Sequence, residues 1–333
     1  MRIAYSFHIL RTDEYSYGFR RHDIDTAFIF STIAPIFLMI LLGVLLKRWG
    51  VINANFISVS SKLVFNLTLP ALIFLKVSSL DSSAPVPFSI VAIIVSVTVG
   101  VFIVTWLIAA RWIASGASLG AFMQGSYRGN FATVGLAASA GVYGVDGLSQ
   151  AALLLAFVVP LYNILGVIAL VVPLGKEYKL SRIDIVKELF LNPIVLAVVF
   201  ALPFSYFDLS LPSFVHNTGN YLAELTIPLA LIGVGGTLQF VDRGYSFKQA
   251  LLASIIKVVL LPLVGVGVAS MFGFRGQDLG ILFIFFACPT TMATFIMAQA
   301  MGADHKLASA IVAMATCMSA ATMVVGLSLL DYL

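Results

Sequence analysis

The chain has 333 residues, 60% of them hydrophobic and 10% charged, with a mean hydropathy of +1.05 and a net charge of +4. Soluble domains carry roughly 25% charged residues, so this chain has too little polar surface to face water, and a soluble globular fold is excluded. The pI near 9.0 reflects Lys and Arg in short loops, where they set topology, rather than a nucleic-acid surface. The two cysteines, Cys288 and Cys317, supply neither a disulfide framework nor a metal set.

Residues 1–26 are polar and aromatic, with Arg2, Arg11, Asp13, Glu14, Arg20, Arg21, Asp23 and Asp25 among Tyr5, Phe7, Tyr15, Tyr17 and Phe19. They lack the apolar core of a signal peptide and read as an interfacial or disordered tail. Ten apolar spans follow, at 27–49, 56–76, 86–113, 118–142, 147–173, 189–206, 215–238, 246–272, 279–300 and 306–330. Each can cross ~30 Å of hydrocarbon as a helix. In lipid the backbone must satisfy its own polar groups, which leaves helices or a closed barrel. The alternating, roughly ten-residue segments of a barrel are absent.

The longest polar interruption, 174–188, separates a first five-helix repeat, 27–173, from a second, 189–333. A shift of 158 residues sets Pro35 on Pro193, Leu67-Thr68-Leu69-Pro70 on Leu225-Thr226-Ile227-Pro228, Gly144 on Gly302 and Asp146 on Asp304. Five is odd, so the second half enters the membrane from the opposite side. That is an inverted-topology repeat, a construction many secondary transporters use. Lys and Arg number ten on the side of the 174–188 loop and six on the other side, tail included. The loop is therefore expected in the cytoplasm and both termini outside.

Polar groups at membrane depth are costly and mark function. Two spans hold most of them, the fourth of each half. The first runs Gln124-Gly125-Ser126-Tyr127-Arg128-Gly129-Asn130-Phe131-Ala132-Thr133, with glycines that weaken a helix by ~1 kcal/mol each. The second runs Phe286-Ala287-Cys288-Pro289-Thr290-Thr291-Met292-Ala293-Thr294, where Pro289 removes a helical hydrogen bond. The 158-residue shift brings the two interruptions into register, and such a matched pair points to a transporter binding site. A close-packed glycine helix and a simple proline kink are the plainer alternatives. If the segments cross near mid-membrane, Asn130 and Thr291 face one cavity, with Thr133 and Thr294 on its rim. The N-terminal ends of the half-helices suit an anion.

Arg128 and Lys257 are the positive groups at depth. Lys257 reads either as functional or as reaching for an interface. Asn66 lies one turn before Pro70, and Tyr162 and Asn163 follow Pro160. The expected substrate-binding set is thus Asn66, Arg128, Gly129, Asn130, Thr133, Tyr162, Asn163, Lys257, Pro289, Thr290, Thr291 and Thr294. No P-loop occurs, and the histidines at 8, 22, 216 and 305 avoid the span centres. No cofactor or metal is therefore expected.

The stretches Lys62–Phe74, Pro160–Val167, Ile227–Leu238 and Ala287-Cys288-Pro289-Thr290-Thr291-Met292-Ala293-Thr294 resemble those of the auxin efflux carrier family, in particular bacterial malonate-permease-like members. The resemblance covers about 27–330. It implies ten helices in two inverted repeats, a scaffold set and a transport set, and a crossover of the fourth and ninth helices. It also implies transport of small organic anions. Where the family commonly has a proline at the first crossover, this chain has Gly129, Asn130 and Phe131.

The reading is an all-α polytopic membrane protein of ten transmembrane helices, in two inverted five-helix repeats with broken, crossing fourth and ninth helices. It is expected in the cytoplasmic (inner) membrane, carrying a small organic anion such as a carboxylate by alternating access, with the lipid bilayer as its other partner. No nucleic acid is expected, and assembly as a homodimer stays open. Two rivals remain. An intramembrane enzyme would need paired carboxylates, a Ser/His pair or a metal cluster at depth. A membrane-embedded solute sensor would usually carry a soluble output domain.

Overall fold

The computed structural model describes residues 26–79, 88–175, 191–238 and 247–330. Apart from Thr26, the 1–26 tail lies outside the described residues, as does the 174–188 loop beyond Gly175. In chain order the helices are α1 (Thr26–Arg48), α2 (Ala54–Ser78), α3 (Phe88–Ala109), α4 (Gly116–Tyr127), α5 (Phe131–Leu174), α6 (Pro193–Tyr206), α7 (Ser213–Thr237), α8 (Phe247–Met271), α9 (Gly276–Ala287), α10 (Ala293–Met301) and α11 (His305–Leu330). Among the described residues, the body of each expected apolar span falls on these helices. Among the described residues, α1, α2, α3, α5, α8 and α11 are each long and apolar enough to cross a membrane alone. The two spans expected to be broken are indeed pairs: α4 with the start of α5, and α9 with α10. The protein is a multi-pass helical membrane protein. Trp49 and Trp112 stand exposed just beyond the ends of α1 and α3, where aromatic belts sit.

Local sequence explains where helices begin. Side-chain oxygens of Asn53, Asn192 and Asp304 accept from the amides of Phe56, Ile194 and Leu307 at 2.9, 2.9 and 3.0 Å. These are N-caps, and Pro193 adds a first-turn proline that needs no donor. Two helices widen into a π turn just before a proline: Val64–Thr68 before Pro70, and Ile256–Leu260 before Pro262. Proline offers no amide and crowds the preceding turn, and one extra residue relieves the crowding without ending the helix. Inside α5, Gly144 (φ 63, ψ −147) interrupts the helix at the boundary expected between the fourth and fifth spans.

The helices pack as two groups. α1 lies on α7, and α2 on both α6 and α7, forming a panel. α4 lies on α5, and α8 on α9 and α11, with α3 and α10 completing a bundle. Lipid tails give helices no hydrophobic reason to associate, so small residues that let backbones meet do much of the packing. A Cβ on Gly235 would stand 1.8 Å from the Ile40 carbonyl oxygen, and one on Gly43 2.2 Å from that of Ile232. The α1–α7 contact therefore depends on both glycines.

Candidate functional site: a crossing of two broken helices

α4 stops at Tyr127, where Gly129 and Asn130 give little reason to continue. Arg128 is extended (φ −78, ψ 105), and Asn130 sits at φ −89, ψ 57. α9 stops at Ala287 because a proline disfavours helical backbone in the residue before it, and Cys288 is extended (φ −51, ψ 138). The second break starts two residues later than the 158-residue shift places it, since Arg128 corresponds to the still-helical Phe286. A proline sets the stop in one half and a Gly-Asn pair in the other, so their registers differ.

The two breaks bond to each other. Gly129 and Thr290 form an isolated antiparallel bridge. The Asn130 amide donates to the Pro289 carbonyl at 2.7 Å, and the Thr291 amide to the Arg128 carbonyl at 3.3 Å. The Thr290 hydroxyl donates to the Gly125 carbonyl at 2.8 Å. Lys257 donates from its ammonium to the Phe286 carbonyl. Backbone groups freed inside a membrane must find partners, and here much of the pairing comes from the opposite break. Neither Asn130 nor Met292 gives a side-chain cap to the helix it starts. The first turn of α5 thus keeps amides of the kind that suit an anion, whereas in α10 the Thr291 hydroxyl and carbonyl already accept from the amides of Ala293 and Thr294 at 3.5 and 3.1 Å.

Arg128 is buried, and its guanidinium ties three helices together. It donates to Asn163 Oδ1 at 2.9 Å and the Tyr162 carbonyl at 3.3 Å on α5, and to Met297 Sδ at 3.0 Å on α10. Gly166 makes room for this group: a Cβ there would lie 2.8 Å from Arg128 Nη1 and from Gln124 Nε2. The Tyr162 ring stacks on Phe285 of α9 at 5.8 Å between centroids, and its carbonyl also accepts from the Tyr127 hydroxyl at 3.3 Å.

Nine of the expected residues therefore form one connected group: Arg128, Gly129, Asn130, Tyr162, Asn163, Lys257, Pro289, Thr290 and Thr291. Thr133 lies half-buried in the first turn of α5. Thr294 is wholly buried and its hydroxyl has no partner among the described residues, so it is not on a rim in this conformation. Asn66 stands apart: it is exposed on α2, and its amide donates to the Lys62 carbonyl at 2.9 Å. Three participants were not read from the sequence. Gln124 could have been, since it precedes Arg128 by one turn and shares its face. Gly166 and Met297 reach the site only through tertiary packing, which leaves no mark on local pattern.

Residues 28–327 match the sequence profile of a family described as membrane transport protein. An uncharacterized transporter of Methanothermobacter thermautotrophicus is 25% identical over 295 residues, covering 86% of this chain and 94% of that protein. An uncharacterized transporter of Methanocaldococcus jannaschii is 21% identical over 281 residues, covering 82% of this chain and 89% of that protein.

Proposed function

Because the chain belongs to the membrane transport protein family, which is the auxin efflux carrier family, we propose that it carries a small organic anion, such as a carboxylate, by alternating access at the crossing of α4–α5 with α9–α10. The observation that carries this reading is the backbone pairing of the two breaks, with two buried cations beside it. Arg128 donates to the Tyr162 carbonyl, the Asn163 amide oxygen and the Met297 thioether, and Lys257 donates to the Phe286 carbonyl. The first turns of α5 and α10 add the positive ends of two helix dipoles.

Alternating access of this kind comes from one group of helices moving against another around a shared site. The panel of α1, α2, α6 and α7 and the bundle of the remaining helices are the natural moving parts. Several features support ten spans in two inverted repeats. A Cβ on Gly219 would meet Leu75 at 3.0 Å, and one on Gly233 would meet Ser61 at 3.8 Å. The 158-residue shift interchanges these two contacts, as a two-fold axis between α2 and α7 requires. Gly144 and Gly302, also 158 apart, have positive φ of 63° and 72°, and so do Gly50 and Asp208, at 73° and 51°. With this topology in the cytoplasmic membrane, a reporter fused at Ser181 should read cytoplasmic and one fused after Leu333 external. A cytoplasmic reading at the C-terminus would mean an even number of spans after that loop and no inversion.

The direct test is uptake by liposomes containing the purified protein. Labelled malonate and other small mono- and dicarboxylates are offered under an outward or inward gradient. Saturable uptake of at least one of them, absent from empty liposomes, is expected. Movement of neutral or cationic solutes with no carboxylate carried would remove the anion reading.

A further inference from the structure

Lys257 sits in the π turn of α8 and is wholly buried, and its ammonium meets the Phe286 carbonyl in the last turn of α9. That end of a helix carries the negative pole of its dipole and carbonyls without helical partners. The same ammonium also presses on the other break. A Cβ on Gly129 would lie 3.2 Å from Lys257 Nζ and 3.1 Å from its Cε. The corresponding end of α4 is completed differently, by the Thr290 hydroxyl on Gly125 and the Thr291 amide on Arg128. The residue that precedes Lys257 by the repeat shift is Val99 on α3, with no charge to offer. So a lysine cation reaches a terminal carbonyl of α9, that of Phe286, while neutral donors complete the same end of α4. Carbonyls at the C-terminal ends of broken transporter helices are also where coupling cations are held. Among the described residues no cluster of His, Cys, Asp or Glu could hold a metal ion.

We propose that Lys257 is a tethered cation that fills the place of a dissociable monovalent cation at the crossing, so that the protein works without bound Na⁺. This rests on the crossing being the transport site, yet cation occupancy can be measured without transport. Lys257→Ala removes three methylenes and the ammonium, and n-propylammonium is the missing piece. n-Propanol has the same size without the charge. Melting of the purified full-length protein reads occupancy, because a ligand that binds only the folded state raises its stability. Lys257→Ala should melt below the wild type, and n-propylammonium should raise its melting temperature while n-propanol does not. Exchange of sodium for choline should leave both the melting and the carboxylate uptake of the wild type unchanged.

Stabilisation of the wild type by sodium would overturn the proposal. So would equal rescue of the variant by the alcohol and the amine, or rescue by neither. If Lys257→Ala does not fold, Lys257→Met keeps the volume and drops the charge, and wild-type melting of that variant would also overturn it. Failure of carboxylate uptake would leave the melting results standing, so the two readings fail separately.

Discussion

Arg128→Gln should reduce carboxylate uptake by roughly 5- to 150-fold, the equivalent of the ~1–3 kcal/mol typical of a charged hydrogen bond, in protein that still folds and inserts. Glutamine keeps one amide to share between Asn163 and the Tyr162 carbonyl, and the Arg128 backbone keeps its bond from the Thr291 amide. What disappears is a full positive charge within the membrane, where screening by water is weakest. Uptake should fall while melting changes far less. Normal uptake by folded Arg128→Gln would give the guanidinium a purely structural role, as a brace between α4, α5 and α10.

Thr290→Val has the opposite signature and should act first on stability. The swap is almost isosteric, and Thr290 is 2% exposed, so the lost hydroxyl leaves the Gly125 carbonyl without its 2.8 Å donor in a site closed to solvent. An unmet buried group of this kind costs about 1–3 kcal/mol. The melting temperature of the purified protein should drop, and uptake with it, because the end of α4 is no longer fixed against the second break. Thr290→Ser keeps the donor and should recover most of both. Equal melting of the valine and serine variants would show that the hydroxyl does not hold the crossing together.

The helical, membrane-spanning character was legible because it rests on composition and span length, which tertiary contacts cannot overrule. The breaks were legible for a similar reason: Gly129, Asn130 and Pro289 disturb a helix through their own backbone chemistry. The register of the second break was not, since the shift assumes that both halves stop for the same cause, whereas Pro289 acts on Cys288 and leaves Phe286 helical. The sequence marks Arg128 as buried and charged and places Tyr162 and Asn163 in the same expected set, but it does not show which groups the guanidinium meets. Those are chosen by how α5 and α10 pack, through Gly166 and Met297. Asn66 shows the converse. Its spacing from Pro70 is real and the π turn confirms a local disturbance, yet the side chain turns to its own helix at Lys62. Polarity at depth locates a perturbed turn; which turns meet is decided by packing.

The claim that two breaks make one site is tested most directly at Thr133 and Thr291, which the repeat shift pairs and which are both half-buried, while Asn130 is only 8% exposed. Each is replaced by cysteine in protein carrying Cys288→Ala and Cys317→Ala, and the rate of reaction with a membrane-impermeant thiol reagent is measured. Both cysteines should react, and a saturating concentration of a carboxylate that the liposome assay shows to be transported should slow both together. Slowing at one position with the other unaffected would mean that the two segments, though bonded to each other, do not share a substrate.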